Sequence, residues 1–598
     1  MAAPSAQASF DQGLVLHQAG RTQEARALYE QALAADPDHF DAVHLLGVIR
    51  VQAGEAAAGV ALIERAVAAN PNMAAAISNL GWALAEAGRP GDAVAAYDRA
   101  LALDPGYVAG HYNRANTLRD CGASAEALAG YDRALGLQPS FVEAWINRGA
   151  VLERLRRSAE AAQSFDRAAA LRPDLAEAHA NLAKVLNDLK RSDEALASAD
   201  RAVALQPDLA AAHNHRALSL FDLRRLDEAL AAADRAIALD PAYPEAHNSR
   251  AITLFDLRRL EEAVASAARA IAIRPDFAPA HLNRATSLLS LGDLEQGFRA
   301  YGWRWQVNGF QPAIARLRPA WEGLDLTGRS ILIYGEQGFG DHLQFSRYVP
   351  SVAARATRTA FVTEPALAAL FRRSFPGVGV FTGVEDEAAF DFQIALMDLP
   401  SVFGTTLQTI PAEIPYLAPD PDQAAAWAER LAGPGLKVGL VWAGDTHAGR
   451  PAGAAVDRRR SLRLDQYAPL AQVEGVTFVS LQKGEPAAQA ANPPTDLRLI
   501  DFTSELSDFS DTAALIEALD LVIAVDTAVA HLAGALGKPV WILSRYEGDC
   551  RWLNGREDSP WYPTARLFHQ RTSGAWDEVV ERVAAALATL RAARAGER

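Results

Sequence analysis

Residues 520–543 read DLVIAVDTAVAHLAGALGKPVWIL. Leu521–Val525 is an apolar run with the length of a fully buried strand. Asp526 and Thr527 follow, with side chains suited to capping a helix. Ala528–Leu536 is strongly helix-forming, Gly537 stands where a helix ends, and Pro539 forbids continuation. A second apolar run, Val540–Leu543, comes at once. The stretch spells strand–helix–strand with its polar residues gathered at the strand's carboxyl end. In open α/β sheets that edge binds ligands, and free amides at a helix start suit a phosphate. Asp526 and Thr527 are thus either simple caps or the phosphate side of a site. His531 lies one helical turn past Thr527 on the same face.

Working outward, the same texture fills the second half of the chain. Strands are expected at Ile331–Tyr334, Thr359–Thr363, Val378–Phe381, Phe392–Ala395, Lys437–Trp442 and Val476–Leu481. Helices are expected from about Asp511 to Leu519 and from about Ala575 to Ala593. After Tyr334 comes GEQGFGDHLQFSRY, in which Gly335, Gly338 and Gly340 permit a tight turn and close backbone approach to a ligand. The turn lacks the Walker lysine and the dinucleotide spacing. Asp341 falls at a helix start and faces two readings, N-cap or general base, with Glu336 as the reserve base. Residues 445–460 read as a Gly- and Ala-rich loop carrying Arg458, Arg459 and Arg460. The strand at 476–481 ends in Gln482 and Lys483. The proline-rich 411–422 reads as a hinge between two α/β halves.

The first half is a repeat array. Prolines at 37, 71, 105, 139, 173, 207, 241 and 275 recur every 34 residues. Small residues hold the same phase at Gly13, Gly47, Gly81, Ala115, Gly149, Ala183, Ala217, Ala251 and Ala285, and a third row is alanine throughout. This pattern resembles the tetratricopeptide repeat, an antiparallel helix pair per unit that buries its apolar stripe only by stacking. Asn79, Asn113, Asn147, Asn181 and Asn283 share one position of the first helix. An amide offers donors and an acceptor, so the row suits the backbone of an extended acceptor peptide, or else it is a solvated face. The row resembles the inner ladder of the eukaryotic O-linked N-acetylglucosamine transferases. Two charged rows, Arg114–Arg148–Arg216–Arg250–Arg284 and Asp98–Asp132–Asp166–Asp200–Asp234, read as structural pairs between packed helices. Trp303, Trp305 and Trp321, with Pro312 and Pro319 between and beside them, read as the end of the array.

Composition narrows the classes. A formal net charge of −15 gives no global electrostatic case for nucleic acid. Two cysteines exclude a disulfide framework. The first residues lack a signal-peptide pattern, and no apolar run reaches membrane-spanning length, so a cytoplasmic location is expected. No metal-ligand spacing occurs.

Two Rossmann-like halves around a cleft resemble the GT-B glycosyltransferases. Gly338–Asp341 resembles the Gly-Asp turn of the ADP-heptose heptosyltransferases. Asp526, Thr527, His531 and the following Ala-Leu-Gly-x-Pro resemble their donor-site motif. The stretch 316–570 is similar to the tetratricopeptide-fused branch of that superfamily, which includes bacterial flagellin glycosyltransferases. The loop at 445–460 departs from that pattern in length.

The resemblance implies an all-α repeat superhelix over 1–305, a linker at 306–329, and two GT-B halves at 330–420 and 421–598. It implies a metal-independent transferase that moves a sugar from a nucleotide-activated donor, a substrate and not a cofactor, to a hydroxyl of a protein held by the repeats. Asp341 or Glu336 would take the proton. Gly338, Gly340, Gln482, Lys483, Asp526, Thr527, Ala528 and His531 would line the donor, with Arg460 and Lys483 facing the leaving group. The rival expectations are a lipopolysaccharide or glycan transferase whose repeats recruit partners, and an inert repeat scaffold.

Overall fold

The computed structural model describes residues 5–308, 318–383, 389–444 and 451–596. The chain forms two compact units, Met1–Leu239 and Asp240–Arg598.

The first unit is all helix. Its pairs run from Ala6–Gln18 with Thr22–Ala35 to Ala210–Asp222 with Leu226–Leu239. The 34-residue rows explain the packing. A Cβ on Gly13, Gly81 or Gly149 would stand 2.7–2.8 Å from the ring of Tyr29, Tyr97 or Phe165, so a residue without one lets the second helix of those pairs close in. The alanines at 32, 66, 100, 134, 168 and 202 are fully buried on the facing side. Three members of each charged row pair as expected between successive helices, Asp98 with Arg114 at 2.7 Å, Asp132 with Arg148 at 2.6 Å, and Asp200 with Arg216 at 2.6 Å, whereas Arg284 donates to Gln296.

The second unit opens with two more helix pairs, Pro244–Asp256 with Leu260–Ile273 and Ala278–Leu291 with Leu294–Tyr301. The short helix Arg304–Asn308 follows. Two parallel sheets come next. The first consists of β1 (Ser330–Tyr334), β2 (Arg358–Val362), β3 (Gly379–Phe381) and β4 (Phe392–Ala395), in the order β3-β2-β1-β4. The second has β5 (Leu436–Val441), β6 (Val476–Ser480), β7 (Leu499–Asp501), β8 (Leu521–Val525), β9 (Val540–Ser544) and β10 (Ala565–His569), in the order β10-β9-β8-β5-β6-β7. Every named pairing is parallel. Each sheet reverses its strand order beside its first strand, at β1/β4 and at β5/β8, and such reversals open a crevice at the carboxyl ends.

The compact-unit boundary at 239/240 falls inside the repeat array rather than at its end near residue 305. The reason is packing: Leu289, Leu294 and Phe298 of the last helix pair belong to one apolar cluster with Ile331 and Ile333 of β1 and Val522 and Ala524 of β8. The expected loop at 445–460 is helical over Pro451–Arg460, while 445–450, like Pro312, lie outside the described residues. Strands β7 and β10 were not anticipated.

Candidate functional site

The site is built where the two switch points meet. After β1 the chain turns through Gly335–Gly338 into the helix Phe339–Phe345. A Cβ on Gly335 would stand 2.0 Å from the His342 ring, so the imidazole lies directly against the turn. His342 Nδ1 sits 2.9 Å from Thr363 Oγ1, and burial pushes the ring down to about 4, so it stays neutral. Gln337 adopts φ +65°, a left-handed conformation that non-glycine residues rarely take.

After β8 the buried Asp526 leads to Thr527, which occupies the N-cap of the helix Ala528–Ala535. Thr527 makes no side-chain cap, because its Oγ1 donates to the Val525 carbonyl at 3.2 Å. Of the two readings for this pair, simple capping is therefore not what Thr527 does.

The two turns touch. A Cβ on Gly340 would stand 3.0 Å from His531 Cδ2 and 3.8 Å from Ala528 Cα, so the two segments lie in close contact and a side chain there would press on the His531 ring. His531 is buried, with Nδ1 3.0 Å from Tyr562 Oη, its ring stacked on Trp552 at 4.8 Å, and Nε2 4.0 Å from Asp526 Oδ1. Burial, reinforced by Arg551, pushes it down to about 3, so it acts as a neutral imidazole.

Arg551 joins the halves. Its Nε and Nη2 donate to Asp341 Oδ1, the former at 3.1 Å, and its Nη1 donates to Asp549 Oδ1 at 2.8 Å. The other oxygen of Asp341, Oδ2, accepts the Gly338 N–H at 3.2 Å. Asp341 is thus the third residue of its helix reaching back to the cap position, and Gly338 is the cap. Around Arg551 stand Arg545, 3.6 Å from Asp549 and 3.5 Å from Glu547, then Arg459 on Glu547, and Arg460 on Asp457 at 2.9 Å. Burial alone would raise Asp549, but Arg551 and Arg545 outweigh it and hold this carboxyl well below the usual range. Asp526 is raised, first by burial and then by the neighbouring Asp549.

Other expected residues have different surroundings. Glu336 is buried against Arg304, whose Nε is 3.2 Å from Oε2, and Arg304 also donates to Asp398 at 2.6 Å. Burial pushes Glu336 up to about 7 against the pull of Arg304. Lys483 donates to the carbonyls of Thr503 and Leu506, both at 2.7 Å. Gln482 accepts from the amides of Trp442 and Ala443 at 3.0 and 2.8 Å and donates to the Ala443 carbonyl at 3.0 Å. Both side chains tie down backbone at strand ends, so in this conformation Lys483 does not offer its charge to a leaving group.

The asparagine row is half-exposed. Asn79 Nδ2 lies 3.0 Å from His44 Nε2, and Asn147 Nδ2 donates to Tyr112 Oη and Asn116 Oδ1 at 2.9 and 3.0 Å. In the second unit Asn283 donates to Asn248 at 2.8 Å. Asn113 and Asn181 have no side-chain partner among the described residues. Among the described residues there is no group of three His, Cys, Asp or Glu arranged to hold a metal, and no helix long and apolar enough to cross a membrane.

Sequence reasoning missed Arg551, Asp549, Arg545 and Arg304. Arg551 gave no local signal, because its partner Asp341 is 210 residues away.

Comparison with known proteins finds two kinds of match. Residues 16–80, 74–107 and a set of overlapping segments across 112–306 match the tetratricopeptide repeat. Residues 483–546 match glycosyltransferase family 9 (heptosyltransferase), a span that includes Asp526–His531. Protein FlbA of Caulobacter vibrioides is 31% identical over 318 residues, covering 48% of this chain and 52% of that protein. The chain thus spans about half the length of this curated relative. Among solved structures, YrrB, described as a TPR protein with an unusual peptide-binding site, is 27% identical over 31% of this chain and 96% of its own, with a TM-score of 0.27. MamA is 23% identical over 28% and 91%, with a TM-score of 0.26.

Proposed function

We propose that this chain, which joins tetratricopeptide repeats to a glycosyltransferase family 9 segment, is a GT-B, metal-independent transferase that moves a sugar from a nucleotide-activated donor to a hydroxyl of a protein acceptor. The observation that carries the reading is the contact of the two turns: the Gly340 backbone rests on His531 and Ala528, which brings Asp341 and the Ala528–Ala535 helix start around Arg551.

The chemistry divides between the two turns. The acceptor hydroxyl gives its proton to Asp341 as its oxygen attacks the anomeric carbon. Each carboxylate oxygen has two lone-pair sites, and Asp341 Oδ2 uses one on Gly338, so one remains for that proton. The bond from the anomeric carbon to the phosphate oxygen breaks, and the charge passes to the phosphate. The free amides at Thr527 and Ala528, with Arg545 and Arg551, meet that charge. Arg460 stands in reserve on Asp457. Neutral His531 orients the donor by hydrogen bonding and not by charge. The repeats hold the acceptor through the asparagine row, flagellin is the first acceptor to try, and the reaction takes place in the cytoplasm.

Thr527→Trp tests the donor half. In the full-length protein the indole fills the space before the helix start, and calorimetry with UDP, ADP, GDP and CMP should show the bound nucleotide weakened by roughly 10-fold or more. Unchanged affinity removes this turn from the donor site.

A further inference from the structure

The last repeat does more than end the array. Its helix Leu294–Tyr301 and the following Arg304–Asn308 place two side chains on the Gly335–Gly338 turn. Arg304 is 2% exposed and clasps Glu336 with its Nε and Nη2, while Nη1 holds Asp398 beyond the end of β4. The guanidinium lies over the rings of Tyr301 and Trp305, 5.3 and 4.5 Å from their centroids. Tyr301 Oη accepts from Gln337 Nε2 at 3.3 Å, and burial pushes its phenol up to about 12, so it remains a neutral hydroxyl. Glu336 and Gln337 are thus each held by a repeat side chain, and Gln337 is the residue in the left-handed conformation. A backbone conformation of that kind persists only where its surroundings enforce it. The next residue, Gly338, supplies the N–H that orients Asp341.

We propose that Tyr301 and Arg304 are positioning residues for the transfer reaction: the repeat array holds the turn that aims Asp341, and so forms part of the reaction centre rather than a separate tether. This rests on the transferase reading of the same site. One consequence concerns truncation. A cut near residue 305 removes Tyr301 and Arg304 and leaves the buried Glu336, and the half-buried Asp398, without their cation, so such a fragment loses its rate even if the groove of repeats has no part in catalysis.

The test uses the full-length chain as Tyr301→Phe, Arg304→Gln and Arg304→Lys. Hydrogen–deuterium exchange reads the turn, and cleavage of a panel of UDP-, GDP- and ADP-linked hexoses and a CMP-linked nonulosonic acid reads the reaction. Exchange at amides 335–341 should rise by about 10-fold in Arg304→Gln and about 3-fold in Tyr301→Phe, with Ala528–Ala535 unchanged. The fall in kcat should be of similar size, with donor KM within about 2-fold of the parent, and Arg304→Lys should recover part of the rate, since an ammonium restores the charge but cannot clasp both carboxylates. Unchanged exchange at 335–341, or a lower Tm with kcat intact well below it, overturns the proposal. If Arg304→Gln does not fold, Tyr301→Phe decides on the same two readings. If the parent cleaves no donor, the transferase reading fails, and the exchange result still judges the positioning.

Discussion

The ion pairs of the repeat array and those around the Gly335–Gly338 turn use the same residue types to opposite ends. In the array, Asp98–Arg114, Asp132–Arg148 and Asp200–Arg216 repeat at one spacing, and their carboxylates are about half exposed. Exposed pairs of this kind contribute about 0–1 kcal/mol each, so they mark register more than they hold the fold. In the second unit, Arg304 and Arg551 each bridge two carboxylates from distant parts of the chain, Glu336 with Asp398 and Asp341 with Asp549. There, removing one partner strands a buried charge. A charge that recurs in phase can be lost singly, whereas one that occurs once, buried, between two loops cannot.

The sharpest way to break that contrast is to remove one arginine of each kind. Arg551→Gln should destabilise the second unit by about 3–5 kcal/mol, since it leaves the buried Asp341 without its cation and Asp549 with only the more distant Arg545. Arg216→Gln should cost no more than about 1 kcal/mol. Urea unfolding of both variants measures the pair, and equal losses would erase the distinction.

A second prediction concerns what the array is for. Replacing Asn79, Asn113, Asn147 and Asn181 together by Ala keeps the alanine row and the glycine–aromatic contacts that pack the helices. The variant should raise KM for a protein acceptor by roughly 10-fold while sparing donor hydrolysis, because tethering acts on acceptor affinity. Full efficiency at limiting acceptor would make the row a solvated face and shift weight to a glycan acceptor.

The parts that sequence made legible are those with a local period. Three residue rows at 34-residue spacing identified the helix pairs, and the buried strands showed as apolar runs between turn residues. Strand β7 is three residues long with two of them exposed, and β10 presents Arg566 outward, so neither makes an apolar run. The charged end of the 451–460 segment concealed a helix behind Gly- and Ala-rich composition. The boundary at 239/240 was hidden because the repeat period continues through it; what separates the last repeats is the apolar contact of Leu289, Leu294 and Phe298 with the sheets. In the site, Asp341, Asp526, Thr527 and His531 stood beside glycines or strand ends, where position itself is a signal. Arg304 stood between two tryptophans and drew attention to them instead. Arg551 finds its carboxylate 210 residues away, and nothing in its neighbourhood announces that.

The central claim is that Asp341 takes the acceptor's proton beside a donor held at the Ala528–Ala535 helix start. Asp341→Asn keeps the shape of the side chain, though its single oxygen can accept from the Gly338 N–H or from Arg551 but not from both. Single-turnover transfer by full-length protein, run with whichever nucleotide sugar the parent binds, tests it most directly. The account predicts unchanged donor affinity and a rate lower by roughly 10²-fold or more. Near-parental transfer in a folded Asn variant would contradict it.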